Sequence, residues 1–138
     1  MKTDIIIFSK NRTLQLKSLL LSLKKYSDIP LDSINIIFVE SIAGVSYEPL
    51  KKAFNCKFNR QVVFLNDIRD ILTGSDNKYV FFMVDDLIYR DHFSLEKEEN
   101  FLDQHHEIEC FSHRMGKNIA GPVPSFKEYD EFLVWETA

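Results

Sequence analysis

The sequence predicts an α/β protein: a three-layer α/β/α sandwich around a mainly parallel sheet with strand order 3-2-1-4. Three observations support this fold class. Short apolar runs recur without alternating apolar and polar residues, as in strands covered on both faces. The segments between these runs have helical periodicity, which favours parallel strands joined through helices. Only 4 Gly and 4 Pro occur in 138 residues, too few turn formers for a many-stranded barrel or β-sandwich.

Four apolar runs are the predicted strands. They are "IIIF" at 5–8, "INIIFV" at 34–39, "VVFL" at 62–65 and "YVFFMV" at 79–84. In a doubly wound α/β sheet with this strand order, the order reverses between the first strand and the fourth. Ligands bind near that reversal, outside the carboxyl ends of the strands. Residues that directly follow the strands are therefore the first candidates for a site.

The first predicted helix lies in "RTLQLKSLLLSLKKYS", residues 12–27. One face of this helix carries leucines, which should pack on the sheet: Leu16, Leu19, Leu20 and Leu23. Lys24 and Lys25 fall in the last turn, where positive charge favours the helix dipole. The segment therefore predicts an amphipathic helix that crosses over from the first strand to the second.

Two further helices are predicted before the fourth strand. "SYEPLKKAFN" at 46–55 has Pro49 in its first turn, a position that helices tolerate. "NDIRDILTG" at 66–74 offers Asn66 or Asp67 as its N-cap and Gly74 as its stop.

The pattern changes after Asp86. Residues 91–107 predict a charged, largely exposed helix, and residues 108–118 predict a strand that runs into a loop. From Gly121 onward the chain is predicted to be irregular, then to form a terminal strand. We interpret residues 1–138 as one domain, with a Rossmann-like donor half at 1–90 and an incomplete C-terminal part at 91–138.

Composition and charge restrict the class of protein. Apolar residues make up 45% and charged residues 28%, as in a globular chain, and the net charge is −4 without a basic stripe. Nucleic acid is therefore not an expected partner, because phosphate backbones require clustered Lys and Arg. No transmembrane segment or signal peptide is expected, since no apolar stretch is long enough, so the expected location is cytoplasmic.

Polar residues follow three of the predicted strands. The first strand is followed by "SKNR", which is Ser9, Lys10, Asn11 and Arg12; the second by Glu40; and the fourth by Asp85 and Asp86. Backbone N–H groups at a helix N-terminus can face a phosphate, and an arginine can fork onto phosphate oxygens. Adjacent carboxylates raise each other's cost of ionisation, which a divalent cation would relieve, and oxygen ligands suit Mg²⁺ or Mn²⁺. The alternative is a turn that begins a helix, with both aspartates solvated.

Three segments resemble a known family. "IIIFSKNRTLQLKSLLLSL" resembles the opening of nucleotide-diphospho-sugar transferases of the GT-A fold, which begin with an apolar strand, a polar turn and a Leu-rich helix. "VFFMVDDLIY" is similar to the aspartate motif, called DxD, that ends their fourth strand, and "CFSHRMGKNI" is similar to a segment that follows it in some bacterial relatives. The resemblance covers roughly residues 4–119.

The resemblance implies roles for the residues that match. The "SKNR" segment, Ser9 to Arg12, would line the nucleotide, and Asp85 and Asp86 would be the DxD-like pair. Asp86 would be the more direct ligand of Mn²⁺ or Mg²⁺. Glu40 stands where these enzymes often use Asp against the base or ribose, a departure that leaves the choice of base open. The motif is "DDL", without a third acidic position.

The implied function is that of a glycosyltransferase acting on a nucleoside-diphosphate sugar, with UDP-linked donors favoured and an unknown acceptor. Complete members continue well past the aspartate motif, so the chain is expected to be a truncated form, a fragment or a minimal domain. Asp130 and Glu131 are weak candidates for a catalytic base. Two alternatives stay open: a non-catalytic nucleotide-sugar-binding module, and an unrelated doubly wound domain. Pairing of a sheet edge would allow an oligomer.

Overall fold

A computed structural model describes residues 1–113, 126–129 and 132–135 of the chain. The chain forms two compact units, Met1–His105 and His106–Ala138. The first unit contains a four-stranded sheet and its helices, and the second contains a two-stranded sheet. The expected division of roles at residue 90 stays a prediction.

The four-stranded sheet is parallel and has the order β3-β2-β1-β4. Its strands are β1 (Thr3–Lys10), β2 (Ile34–Val39), β3 (Lys57–Arg60) and β4 (Tyr79–Val84). In the middle of the sheet Ile7 of β1 lies opposite Ile36 of β2 and Met83 of β4. The predicted strand order is confirmed. Because all four strands run the same way, their carboxyl ends share one edge of the sheet.

Helices flank this sheet. They are α1 (Thr13–Tyr26), a short 3₁₀ helix (Leu31–Ser33), α2 (Glu48–Ala53), α3 (Phe64–Thr73) and α4 (Leu95–Gln104). One face of β1 presents Ile5 and Ile7, both fully buried, to a core that also contains the predicted leucine face of α1: Leu16, Leu19, Leu20 and Leu23. Each buried leucine contributes about 1.5–3 kcal/mol relative to exposure. Leu50 of α2 and Leu95 of α4 belong to the same core cluster.

The opposite face of the sheet is only partly covered. Ile6 and Ile37 are fully buried there, and Phe8 packs against Phe64 at the start of α3, with 5.1 Å between ring centroids. Along β4, however, an apolar row faces away from the core and stays 36–48% exposed: Val80, Phe82 and Val84. The expectation that every strand is covered on both faces is therefore wrong for β4.

The third strand was predicted at 62–65, and the structure places it at Lys57–Arg60. This strand pairs with β2, and Phe58 is its side chain packed against the core. An edge strand needs few apolar residues, because backbone hydrogen bonds hold it and one face is solvated. The apolar run at 62–65 instead leads into α3, and a short apolar run fits a helix start as well as a strand.

The structure corrects the predicted N-cap of α3 and confirms its predicted C-cap. The helix begins at Phe64, so neither Asn66 nor Asp67 is its N-cap. Asp67 instead accepts a hydrogen bond from the Val62 backbone N–H at 2.8 Å, which ties the helix to the residues before it. Gly74 is the C-cap, as predicted, and its N–H bonds to the Asp70 carbonyl.

Helix α4 is shorter and more buried than predicted. It begins at Leu95, and Glu98 and Glu99 are buried although the segment was expected to be a largely exposed helix. Glu99 accepts hydrogen bonds from the backbone N–H of Lys2 at 2.6 Å and from Thr3 Oγ1 at 2.7 Å. These bonds satisfy a carboxylate that would otherwise be costly to bury. They also fasten α4 to the beginning of β1.

The second unit contains an antiparallel pair, β5 (Phe126–Tyr129) and β6 (Phe132–Trp135). The predicted terminal strand is thus one of two paired strands. Residues 108–113 form no strand, contrary to the prediction for 108–118, and the remainder of that segment lies outside the described residues. Asp130 and Glu131, the candidate bases, also lie outside them. In the described parts of the chain no helix combines the length and apolarity needed to cross a membrane.

Candidate functional site

The candidate site lies at the carboxyl edge of the four-stranded sheet. Residues 9–12 end β1 and lead into α1, Glu40 follows β2, Arg60 ends β3, and Asp85 follows β4. Neighbouring strands lie about 4.8 Å apart, so residues that end adjacent strands are within reach of one another. The structure joins all four strand ends through side-chain hydrogen bonds.

Asn11 shapes the turn between β1 and α1. Its φ is +56°, the left-handed region that asparagine tolerates better than most residues. Its backbone N–H bonds to the Val39 carbonyl at 2.9 Å, and its side chain exchanges two hydrogen bonds with Ser41. Arg12 occupies the N-cap position of α1. Asn11 therefore ties the turn after β1 to the loop after β2. The contacts with a nucleotide that were predicted for Asn11 and for the exposed Lys10 remain predictions.

Asp85 is buried and accepts hydrogen bonds from two side chains. It is 3% exposed, Oδ2 accepts from Ser9 Oγ at 2.8 Å, and Oδ1 accepts from Arg12 Nη1 at 3.1 Å. The Arg12 side chain is 48% exposed, so one end of the guanidinium is held while other N–H groups are accessible. Asp85 thus orients an arginine at the edge of the sheet.

Asp86, the residue after Asp85, is exposed. Within the described parts of the chain, no group of three or more His, Cys, Asp or Glu side chains could hold a metal ion. A complete protein cage is not required for Mg²⁺ or Mn²⁺ bound with a nucleotide, since one or two carboxylates, phosphate oxygens and water suffice. One exposed carboxylate at the carboxyl edge of the sheet fits that kind of site.

Tyr47 is a site residue that the sequence did not indicate. Its side chain is fully buried, and its ring centroid lies 4.7 Å from that of Phe38. Its hydroxyl lies 2.7 Å from Ser9 Oγ and accepts from the Arg12 backbone N–H at 3.2 Å. Because Ser9 gives its only hydroxyl proton to Asp85, Tyr47 must donate to Ser9. Nothing in the sequence around Tyr47, which directly precedes α2, indicates its contacts with Ser9 and Arg12.

Glu40 is held at both carboxylate oxygens. Oε2 accepts from the Tyr47 backbone N–H at 2.8 Å, and Oε1 accepts from Arg60 Nη2 at 2.9 Å. The Tyr47 N–H first and the Arg60 guanidinium second hold the pKa of Glu40 below its ordinary value. The guanidinium also lies over the Phe38 ring, 5.2 Å from its centroid. Sequence reasoning missed Arg60 because it placed the third strand after this residue.

These contacts form one continuous network across the four strand ends, which we call the edge network. Its members, in spatial order, are Arg60, Glu40, Tyr47, Ser9, Asp85 and Arg12. A carboxylate-bound arginine lies at each end, and Tyr47 connects the two pairs through its backbone N–H and its hydroxyl. The structure therefore brings together Ser9, Arg12, Glu40 and Asp85 from the predicted set.

Comparison with known proteins identifies similar structures but no sequence relatives. No protein-family model and no curated protein sequence matches the chain. The structure is similar to S. aureus TarS 1–349 in complex with UDP, at TM-score 0.54 and 20% identity over 77% of this chain. The chain has an α/β GT-A-like fold. A second structure of TarS 1–349 and a longer TarS structure match it at TM-score 0.51 and 20% identity. The chain spans 33% of TarS 1–349 and 20% of the longer structure.

Proposed function

We propose that the chain binds a nucleoside-diphosphate sugar, with UDP-linked donors favoured, at the carboxyl edge of its sheet and transfers the sugar to an acceptor. The observation that carries the proposal is the buried Asp85, which holds the half-exposed guanidinium of Arg12 at the carboxyl edge of the sheet and is followed directly by the exposed Asp86. Two further points support it. The sequence resembles nucleotide-diphospho-sugar transferases at these residues, and TarS, which has a similar fold, is found in complex with UDP.

Arg12 is the residue that would contact the diphosphate. A guanidinium presents five N–H donors in a planar fork that matches phosphate oxygens, and Asp85 occupies one of them. The N-terminus of α1 begins at the following residue, where unpaired backbone N–H groups also favour an anion. The fixed guanidinium reduces the entropy that would be lost on binding.

Asp86 is the residue that would hold Mn²⁺ or Mg²⁺, together with oxygens of the diphosphate. When bound, the cation would neutralise the charge that develops on the departing diphosphate. Asp85, the other metal-ligand candidate in the sequence, is buried, whereas Asp86 is exposed and therefore accessible to a cation. We therefore assign Asp85 to holding Arg12 and Asp86 to the cation.

Transfer requires an acceptor hydroxyl that attacks the anomeric carbon and a base that takes its proton. The base candidates, Asp130 and Glu131, lie outside the described residues. A non-catalytic nucleotide-sugar-binding module is the second candidate function. Release of UDP from UDP-sugars in the presence of an acceptor library would favour the transferase, whereas binding without release would favour the module.

Replacing Asp86 tests the proposal. We expect calorimetric titration of UDP and UDP-sugars into the wild type to show binding that is tighter with Mn²⁺ than without it. Asp86→Ala should weaken the Mn²⁺-dependent binding about tenfold or more, which corresponds to roughly 1.4 kcal/mol or more, because the cation loses its protein carboxylate.

Asp76→Ala is the matched control, since it removes an exposed carboxylate from the loop that precedes β4, at the opposite end of that strand. It should bind UDP as the wild type does. Folded wild-type protein that binds neither UDP nor UDP-sugars with Mn²⁺ would contradict the proposed donor site.

A further inference from the structure

β4 is an edge strand, and one side of its backbone is open. Within the described residues, β4 pairs with β1 and with no other strand. The backbone N–H groups of Tyr79 and Asp85, at the two ends of β4, bond to carbonyls in or next to β1 at 3.0 and 3.2 Å. Because backbone groups of successive residues point to opposite sides of a strand, Val80, Phe82 and Val84 direct their N–H and C=O groups away from β1.

The same three residues expose apolar side chains. We call Val80, Phe82 and Val84 the β4 row, and each is 36–48% exposed. Phe82 stacks against Phe8, with 5.8 Å between ring centroids, and Phe8 packs in turn against the exposed Phe64, so the apolar surface extends beyond β4. Natural proteins protect an open strand edge with charges, prolines or bulges. The β4 row has none of these, and its exposed apolar surface is typical of an interaction site.

The β4 row is complementary to a second copy of itself. When two copies pair antiparallel with Phe82 opposite Phe82, Val80 of one copy lies opposite Val84 of the other, so apolar side chains meet along the whole row. In this register the opposed residues are those whose N–H and C=O groups face the open edge. Each opposed pair can therefore exchange two hydrogen bonds.

The residues that flank the row add complementary charge. Lys78 and Asp86 lie four positions before and after Phe82, so the same register brings Lys78 of one copy opposite Asp86 of the other, at both ends of the row. Opposite charges in opposed positions stabilise an antiparallel pair. Lys78 also binds Asp103 of its own chain, but its side chain is 52% exposed, and an ammonium group has three donors.

We infer that the β4 row is the interface of a homodimer, in which two copies of the chain pair antiparallel through β4 and join their sheets across a two-fold axis. A second copy is the occupant that supplies matching side chains, opposite charges and an open strand edge in one register, and the contact is closed by its symmetry. The inference does not rest on the proposed function. Its test omits nucleotide and divalent cation, because Asp86 is the proposed cation ligand.

Sedimentation equilibrium tests the interface. We expect the mass of the wild type to rise from 16.2 kDa, that of one chain, toward twice this value as its concentration increases. Phe82→Lys places two lysines opposite each other on the axis and should weaken the dimer about tenfold or more. Leu21→Lys is the matched control, because it makes the same kind of change at a half-exposed leucine of α1, which packs on the other face of the sheet. It should dimerise as the wild type does.

Charge-reversal variants test the register. Lys78→Glu opposes two acidic side chains at each end of the row, and Asp86→Lys opposes two lysines. Each variant alone should dimerise about threefold or more weakly than the wild type. An equimolar mixture of the two restores opposite charges at both ends of a mixed dimer, which should form with about the wild-type affinity. Weakening without recovery in the mixture would contradict the pairing centred on Phe82.

Amide hydrogen exchange of the wild type decides the question even where a variant fails to fold. The N–H groups of Val80, Phe82 and Val84 should exchange more slowly at high protein concentration than at low concentration, whereas those of β3 should not change. A wild type that stays monomeric leaves the row to solvent or to a different protein and overturns the inference. A dimer that persists in folded Phe82→Lys, or that gives β4 no concentration-dependent protection, uses another surface and also overturns it.

Discussion

Adjacent residues at the end of β4 have opposite environments. Asp85, which directly follows β4, is buried as Met83 of that strand is, whereas Asp86 is exposed as Phe82 and Val84 are. The inward carboxylate is compensated by Ser9 and Arg12. The outward one is exposed to solvent. The two adjacent aspartates therefore lie in different environments, one buried against Ser9 and Arg12 and the other exposed.

The variant Tyr47→Phe tests what the Tyr47 hydroxyl contributes to the edge network. The change removes the hydroxyl, and with it the bonds to Ser9 Oγ and to the Arg12 N–H, but keeps the ring against Phe38. We expect urea denaturation to show a loss of about 1–2 kcal/mol, since buried polar groups lose a partner. UDP affinity should also fall, because Arg12 is less well fixed.

Tyr26→Phe is the matched control, because it removes a tyrosine hydroxyl near the end of α1, far along the helix from Arg12. It should leave UDP affinity unchanged. Equal UDP affinity of the wild type and Tyr47→Phe would count against a positioning role for this hydroxyl.

At the scale of an element, the N-terminus of α4 is capped by two residues. Ser94 is the N-cap, and its Oγ accepts from the Lys97 N–H. Asp28, which follows α1, accepts from Ser94 Oγ at 2.6 Å and from the Leu95 N–H at 2.8 Å. The first turn of α4 is thereby tied to a residue 66 positions earlier, which satisfies N–H groups that a helix leaves unpaired.

Asp28→Ala should destabilise the protein by about 1–2 kcal/mol, because it removes a charged acceptor from the first turn of α4. Guanidinium denaturation followed by far-UV circular dichroism measures this loss. Asp28→Asn keeps an oxygen acceptor without the charge and should lose less. The exposed loop variant Asp76→Ala should unfold as the wild type does, and an equally large loss there would argue against a specific cap.

At the scale of the first unit, Asp103 of α4 joins the beginnings of two strands. It forms ion pairs with Lys2, at 2.6 Å, and with Lys78, and it accepts a hydrogen bond from the Tyr79 hydroxyl at 2.7 Å. The bond from Lys2 first, followed by those from Lys78 and Tyr79, holds the pKa of Asp103 well below its ordinary value. The bond to Asp103 in turn raises the pKa of both lysines.

These shifts predict how stability depends on pH. A carboxyl group whose pKa is lowered by folding stabilises the protein above its ordinary value of about 4, and this contribution is lost as the pH falls through the folded value. We expect the free energy of unfolding to decrease from about pH 5 toward pH 2. Asp103→Asn should flatten this decrease, and Asp76→Asn should not. The raised pKa values of Lys2 and Lys78 have the opposite pH dependence. The stabilisation that these lysines contribute is present below about pH 10 and is lost at higher pH.

The sequence predicted the apolar strands well and the polar edge strand β3 poorly. β2 and β4 have the predicted bounds, because long apolar runs report burial directly. β3 is mostly polar and is held by backbone pairing with β2, which local composition does not reveal. For the same reason Arg60 was not predicted as a site residue. The third strand was expected to begin after Arg60, whereas Arg60 is the last residue of that strand.

The candidate site was predicted in outline and not in its connections. Ser9, Arg12, Glu40 and Asp85 follow apolar runs, so their positions at one edge followed from the strand order. Tyr47 had no such signal, because its contacts with Ser9 and Arg12 join residues 38 and 35 positions apart.

The sequence by itself determined the class of fold, the strand order and the edge at which polar groups collect, because hydrophobic periodicity and chain connectivity are local properties. Tertiary structure alone decided that Asp85 is buried and paired while Asp86 is exposed, and that Tyr47 joins two carboxylate-bound arginines. Hydrogen bonds between distant side chains depend on the relative placement of strand ends to within a few tenths of an ångström. That placement is fixed only when the whole core packs.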